Sequence, residues 1–172
     1  PLGDIRNVLL QKWPAPEFTC VTKLDLSNLA DGDEAGVISM GMTYGLVTFK
    51  KQGDKLAVSY VTGVQKYGKI VPDETIETVA ELEPIEAAKA GEIFVRYSVK
   101  KTGLRDLNKN EKDFPLETVT IEYSTDGNNY QKAGDMSSIP GRWVGVKNGV
   151  FCASQNDDST GYAVVDSVIY QA

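Results

Sequence analysis

The feature that most constrains the fold of this chain is a period of two in the placement of its apolar residues. In EIFVRYSVKK (92–101), Ile, Val, Tyr and Val fall on one side, and Arg, Ser and Lys fall on the other. KLAVSYVT (55–62) and TVTIEYS (118–124) repeat the alternation, and GYAVVDSVIY (161–170) is similarly rich in β-branched and aromatic residues. Because successive side chains of a strand point to opposite faces, this pattern predicts half-buried β-strands.

Turn-forming residues separate these segments at short intervals. KQGDK (51–55), TDGNN (125–129) and KNG (147–149) have the Asp-Gly or Asn-Gly character of tight hairpins. The prolines of WPAPEF (13–18) end the first predicted strand before another begins. In the acidic segment 75–92, we expect a strand, a break at its proline and a loop with a single helical turn.

About ten predicted strands joined by hairpins, without alternating helices, indicate an all-β protein. We expect an antiparallel two-sheet sandwich with jelly-roll topology, formed by one domain over residues 1–172. Residues 1–6 are expected to be a linker or a remnant outside the domain. The polar stretch 100–117 is predicted to be a long loop between two strands.

Composition excludes several classes of chemistry. The 172 residues include no histidine, so Ser-His-Asp and Cys-His nucleophiles are excluded and the commonest zinc ligand is missing. A net charge of −6 disfavours binding to nucleic acid, and no apolar stretch approaches the roughly 20 residues that cross a bilayer. Cys20 and Cys152 lie in strand-like segments; we expect buried free thiols, with a disulfide as the alternative.

Several segments, read together, resemble one family. They are NVLLQKWPAPEFTCVTKLDL (7–26), AGVISMGMTYGLVTFKK (35–51), YSTDGNNYQKAGD (123–135) and GRWVGVKNGVFCAS (141–154), followed by GYAVVDSVIY. The chain resembles the C-terminal concanavalin A-like β-sandwich of glycoside hydrolase family 43 enzymes, which are mostly β-xylosidases and α-arabinofuranosidases. The resemblance implies a non-catalytic accessory domain that packs on a preceding five-bladed propeller, which carries the catalytic carboxylates.

The resemblance also implies candidate contact residues. In some β-xylosidases the sandwich contributes an aromatic side chain that closes one end of the substrate pocket, from a segment comparable to GRWVGVKNG (141–149). Trp143 and its neighbour Arg142 are therefore the candidates for contact with a sugar or with the catalytic domain, and packing of Trp143 in the core is the alternative. Tyr44 is a third candidate, as an exposed aromatic at a loop tip or as a buried ring.

Three further residues have structural interpretations. Trp13 is expected to pack in the core or at a domain junction, and Tyr130 is expected to pack back on its sheet. Asp166 is a charge inside an apolar strand, so we expect a salt bridge or an exposed edge position. We expect no cofactor; a structural calcium at Asp166 is the alternative, although no convincing co-ligands are evident.

Two other functions compete with the accessory role. An independent carbohydrate-binding or lectin-like module would bind xylo- or arabino-oligosaccharides through Trp143 and Tyr44. An independent glycosidase would need two opposed carboxylates roughly 5–10 Å apart in a cleft. Nothing in the spacing of the 24 acidic residues indicates such a pair.

Overall fold

Residues 7–64, 76–102, 117–139 and 145–172 are described by a computed structural model. These residues form eleven strands and one short 3₁₀ turn, Ala87–Lys89. The strands are β1 Asn7–Lys12, β2 Phe18–Asp25, β3 Glu34–Met40, β4 Thr43–Gln52, β5 Lys55–Val64, β6 Ile76–Glu86, β7 Ile93–Lys101, β8 Glu117–Ser124, β9 Gln131–Ser138, β10 Lys147–Ala153 and β11 Val164–Gln171. The predicted segments 1–6 and most of 100–117 lie outside the described residues.

Two antiparallel sheets confirm the predicted sandwich. Sheet A has the strand order β1-β10-β3-β4-β5-β6, and sheet B has the order β11-β2-β7-β8-β9. The first and last of the described strands, β1 and β11, therefore lie at the edges of different sheets. Within the described part of the chain, no helix is long and apolar enough to span a membrane.

The predicted alternation forms the main core between the sheets. Phe49 and Leu56 of sheet A and Val95 and Ile121 of sheet B are fully buried there. Trp13 packs on this core as expected, with its ring 5.6 Å from that of Phe18. The alternation in β5, β7 and β8 was thus sufficient to identify inward-facing residues.

Sheet A also buries apolar residues on its outer face. Ile38, Tyr44, Leu46 and Phe151 form a second buried cluster on the side opposite the main core. Residues 35–39 of β3 and 44–49 of β4 are accordingly buried without alternation. Strands of this kind are apolar on both faces rather than alternating.

Two local predictions were wrong. The KNG segment (147–149) is not a hairpin turn, because it lies within β10 and pairs with both β1 and β3. Pro84 does not end its strand: β6 runs to Glu86, and its register shifts between the pairs Leu56–Ile85 and Val58–Leu82. Because β6 is an edge strand and Pro84 lies at that irregularity, the missing N–H of proline is tolerated.

Candidate docking surface

The two sheets are separated by an opening along one side of the sandwich, between the edge strands β1 and β11. Leu9 pairs with Val150, Val165 pairs with Leu24, and the side chains of paired residues share a face of their sheet. Leu9 and Val165 therefore point between the sheets, yet they are 75% and 41% exposed. Val168, which pairs with buried Thr22, is 43% exposed in the same way.

Two adjoining hollows lie along this opening, with volumes of about 400 and 200 Å³. Both are lined by Leu9, Val150 and Val165. We call the two hollows together the mouth groove. Its further lining residues are Asn7, Val8, Leu24, Ala35, Phe151, Cys152 and Ala163 in the larger hollow, and Leu10, Gln11, Cys20, Thr22, Tyr97, Asn148, Gly149, Val168 and Tyr170 in the smaller.

Strand β11 differs from the sequence-based expectation. Its apolar residues predicted a half-buried strand, but Val164 and Ile169 on the outer face of sheet B are exposed as well as Val165 and Val168. A soluble domain seldom leaves such a strand uncovered, because an apolar edge invites pairing and aggregation. The strand itself was predicted; its exposure was not.

Two of the residues that line the smaller hollow each have a buried polar atom without a partner among the described residues. The Tyr97 hydroxyl and the Asn148 Nδ2 atom make no hydrogen bond there, although both residues line the hollow. The Oδ1 atom of Asn148 does accept a hydrogen bond of 2.8 Å from Trp13 Nε1. Unpaired buried donors usually indicate a missing partner, such as water or a ligand atom.

A tyrosine-to-phenylalanine pair tests whether the Tyr97 hydroxyl is unpaired. We expect Tyr97→Phe to leave the free energy of unfolding unchanged or to raise it by up to about 1 kcal/mol, since it removes an unpaired buried hydroxyl. Tyr123→Phe is the matched control, because the Tyr123 hydroxyl lies 3.1 Å from Gln131 Oε1, and it should cost about 0.5–1.5 kcal/mol. Urea unfolding measures both. If Tyr97→Phe lowered the free energy of unfolding by as much as Tyr123→Phe does, the Tyr97 hydroxyl would have a partner.

A polar hollow of about 370 Å³ lies next to the mouth groove and is organised by Asp33. The Asp33 carboxylate is only 2% exposed; its two oxygens each lie 2.8 Å from the Ser159 hydroxyl, and Oδ2 accepts the Ala30 N–H at 2.9 Å. Burial raises the pKa of Asp33, but hydrogen bonds from Ser154, Ser159 and the Ala30 N–H outweigh it and hold the pKa below its usual range. A lowered pKa is the opposite of what a general acid needs.

Asp33 thus joins the connection before β3 to the connection before β11. The Tyr162 N–H also donates to the Asn28 carbonyl, at 3.1 Å, between the same two connections. Sequence reasoning missed Asp33, because an aspartate in the polar turn ADGDE resembles a solvated loop residue. Within the described ranges, no group of three or more His, Cys, Asp or Glu side chains is placed to hold a metal ion.

The structure places the sequence-based candidates as follows. Trp143 and Arg142 lie outside the described residues. Tyr44 is 1% exposed and lies against Gly63 of β5, so the structure has the buried-ring alternative rather than an exposed loop tip.

The remaining structural expectations are confirmed. Asp166 is exposed and forms an ion pair of 3.1 Å with Lys23. Tyr130 packs on its sheet, with the Arg96 guanidinium 3.9 Å from its ring centre. Cys20 and Cys152 are free thiols as expected, but only Cys20 is fully buried, and Cys152 is half-buried.

Comparison with known proteins assigns the fold and the family. Residues 3–171 match the family described as the beta xylosidase C-terminal concanavalin A-like domain. The chain belongs to this family. No curated protein matches the chain by sequence.

Solved structures of glycoside hydrolase family 43 (GH43) enzymes share the sandwich. An engineered GH43 enzyme with endo-xylanase and exo-arabinofuranosidase activity superposes with a TM-score of 0.73 at 23% identity, over 98% of this chain and 32% of its own. The bifunctional GH43-CE protein of Bacteroides eggerthii gives a TM-score of 0.66 at 20% identity, over 96% and 19%. A mutant of BlXynB from Bacillus licheniformis gives 0.65 at 18%, over 100% and 31%. This concanavalin A-like domain therefore spans about a third or less of these enzymes.

Proposed function

We propose that this concanavalin A-like domain is a non-catalytic accessory domain of a GH43-type glycoside hydrolase, and that it packs on the catalytic propeller of the same parent chain. The observation that carries the proposal is strand β11, which exposes apolar side chains on both of its faces. An exposed apolar edge of this kind is typical of a surface that another domain covers.

The propeller is the proposed partner because related chains are much longer than this one and carry this domain at their C-terminal end. The solved GH43 relatives are at least about three times as long as this chain, and the family is defined as a C-terminal domain. The catalytic part would then precede residue 1, and β1, the first described strand, borders the exposed edge. Chain continuity would hold the catalytic part close to the mouth groove.

Substrate class and gating belong to the same proposal. The engineered GH43 relative has endo-xylanase and exo-arabinofuranosidase activity, which supports xylan- or arabinan-derived glycans as substrates of the parent enzyme. We propose Trp143, with Arg142 beside it, as the aromatic contact that closes one end of the substrate pocket. This role rests on the family resemblance of the segment 141–149 and on the flat apolar surface of an indole ring.

Hydrogen exchange tests the proposed docking. In the parent enzyme, we expect the amides of β1 and β11 to exchange at least about tenfold more slowly than in the isolated chain, because a covered edge opens less often. Strand β8, in the interior of sheet B, serves as the internal reference. Equal exchange rates for β1 and β11 in the two proteins would contradict the proposal. If, in addition, xylo- or arabino-oligosaccharides bound the isolated chain in titration calorimetry, the function of the domain would be that of a carbohydrate-binding module.

A further inference from the structure

We infer that the catalytic part docks through the mouth groove, by inserting an uncharged extended segment with an apolar side chain between β1 and β11. This inference rests on the proposed function and specifies the contact. It distinguishes the groove from the outer face of β11, which is the other apolar surface of that strand. Three observations favour the groove.

The first observation is the exposure of inward-pointing residues. Leu9, Val165 and Val168 occupy positions that are buried elsewhere in the sandwich, yet they form an open rim. Leu9 belongs to sheet A and the two valines belong to sheet B, so one inserted segment would contact both sheets. Such a two-walled pocket suits an apolar anchor residue, which is a common centre of a protein interface.

The second observation is the absence of charge. The chain is 24% charged, yet no Asp, Glu, Lys or Arg is among the described residues that line the mouth groove. Charged residues are depleted from interface cores. The outer face of β11 differs, because the Lys23 ammonium lies there within 3.1 Å of both Asp166 and Glu92.

The third observation is the pair of unpaired donors. Tyr97 and Asn148 line the groove, and their buried hydroxyl and Nδ2 atoms lack acceptors within the part of the chain that the structure describes. An extended segment carries backbone carbonyl oxygens, which accept such hydrogen bonds. An inserted segment would therefore bury the apolar rim and supply acceptors at the same place.

Two neighbouring residues of β11 give a matched test. Val168 points into the groove and Ile169 points outward, and they are 43% and 54% exposed. In the parent enzyme, we expect Val168→Asp to remove the slowed exchange of β1 and β11, a change of about tenfold, because it buries an unpaired charge. Ile169→Asp should preserve the slowed exchange. Leu9→Asp, on the opposite rim, should have the same effect as Val168→Asp. Hydrogen exchange of each variant is also measured in the isolated chain, to confirm that the variant folds.

The outcomes separate this inference from the proposed function. If Ile169→Asp removes the protection as much as Val168→Asp does, or if Val168→Asp and Leu9→Asp leave it intact, the groove is not the docking site. In those cases the slowed exchange of the unsubstituted parent would still support docking. If the unsubstituted parent shows no slowed exchange, the proposed function itself fails.

Discussion

Replacing Asp33 with alanine is expected to lower the free energy of unfolding by about 2–4 kcal/mol. The substitution removes a buried carboxylate and leaves the Ser159 hydroxyl and the Ala30 N–H without their acceptor. For a chain of this length, a loss of that size lowers the melting temperature by about 5–15 °C. Calorimetry or urea unfolding measures the change.

The control for Asp33 lies in the same hollow. Asp157 also lines it but is exposed, so Asp157→Ala should change stability by less than about 0.5 kcal/mol. Equal effects of the two substitutions on stability would show that Asp33 does not hold the connection before β3 to the connection before β11. The prediction concerns folding and requires no catalytic role for Asp33.

The stabilisation by Asp33 should also depend on pH. Its pKa is lower in the folded chain than the value of about 3.9 in an unfolded chain. The folded state therefore binds fewer protons, and the contribution of Asp33 is fully present above roughly pH 5. It is lost as the pH falls through the lowered pKa. The difference in unfolding free energy between the unsubstituted chain and Asp33→Ala should therefore be smaller in acid than at neutral pH.

Replacing Gly149 with alanine is expected to detach β1 and to lower the free energy of unfolding by about 1–3 kcal/mol or more. A Cβ atom on Gly149 would collide with the Leu9 carbonyl oxygen and would lie 2.6 Å from Leu10 Cδ2. The collision with backbone atoms cannot be relieved by a side-chain rotation. Because Leu9 belongs to the groove rim, the substitution should also abolish docking in the parent enzyme.

Gly91 provides the matched control for Gly149. The nearest atom to a Cβ on Gly91 is Asp25 Oδ1 at 3.9 Å, so Gly91→Ala meets ordinary van der Waals contact. We expect its unfolding midpoint in urea to stay close to that of the unsubstituted chain. If Gly149→Ala were as harmless as Gly91→Ala, β1 would not be held against β10 as the structure has it.

The sequence predicted the inward faces of the sandwich because local alternation determines them. Every second residue is buried as the pattern requires from Ile93 to Val99 in β7 and from Val119 to Tyr123 in β8. The hairpin turn predicted at 147–149 was wrong, although an Asn-Gly pair favours a turn. Here the Asn148 amide is buried and hydrogen-bonded, and Gly149 allows close contact with β1. Local sequence does not distinguish a glycine needed for a turn from one needed for packing against a distant strand.

The candidate site was less predictable than the fold. The apolar residues of β11 indicate a buried strand, but only the sheet order shows that β11 is an edge strand, with Val165 and Val168 of its inner face exposed. The mouth groove joins residues 7–11 with residues 148–170, and their proximity is a property of topology. Family resemblance, rather than any residue pattern, supplied the expectation of a partner domain.

The most direct test of an accessory role is turnover by the purified chain alone. With aryl β-xylosides and aryl α-arabinofuranosides, we expect no hydrolysis above the rate of a sample that lacks protein, while the parent enzyme hydrolyses at least one of them. Hydrolysis that persists through purification and elutes with the isolated chain would contradict the account, because the domain would then carry chemistry of its own.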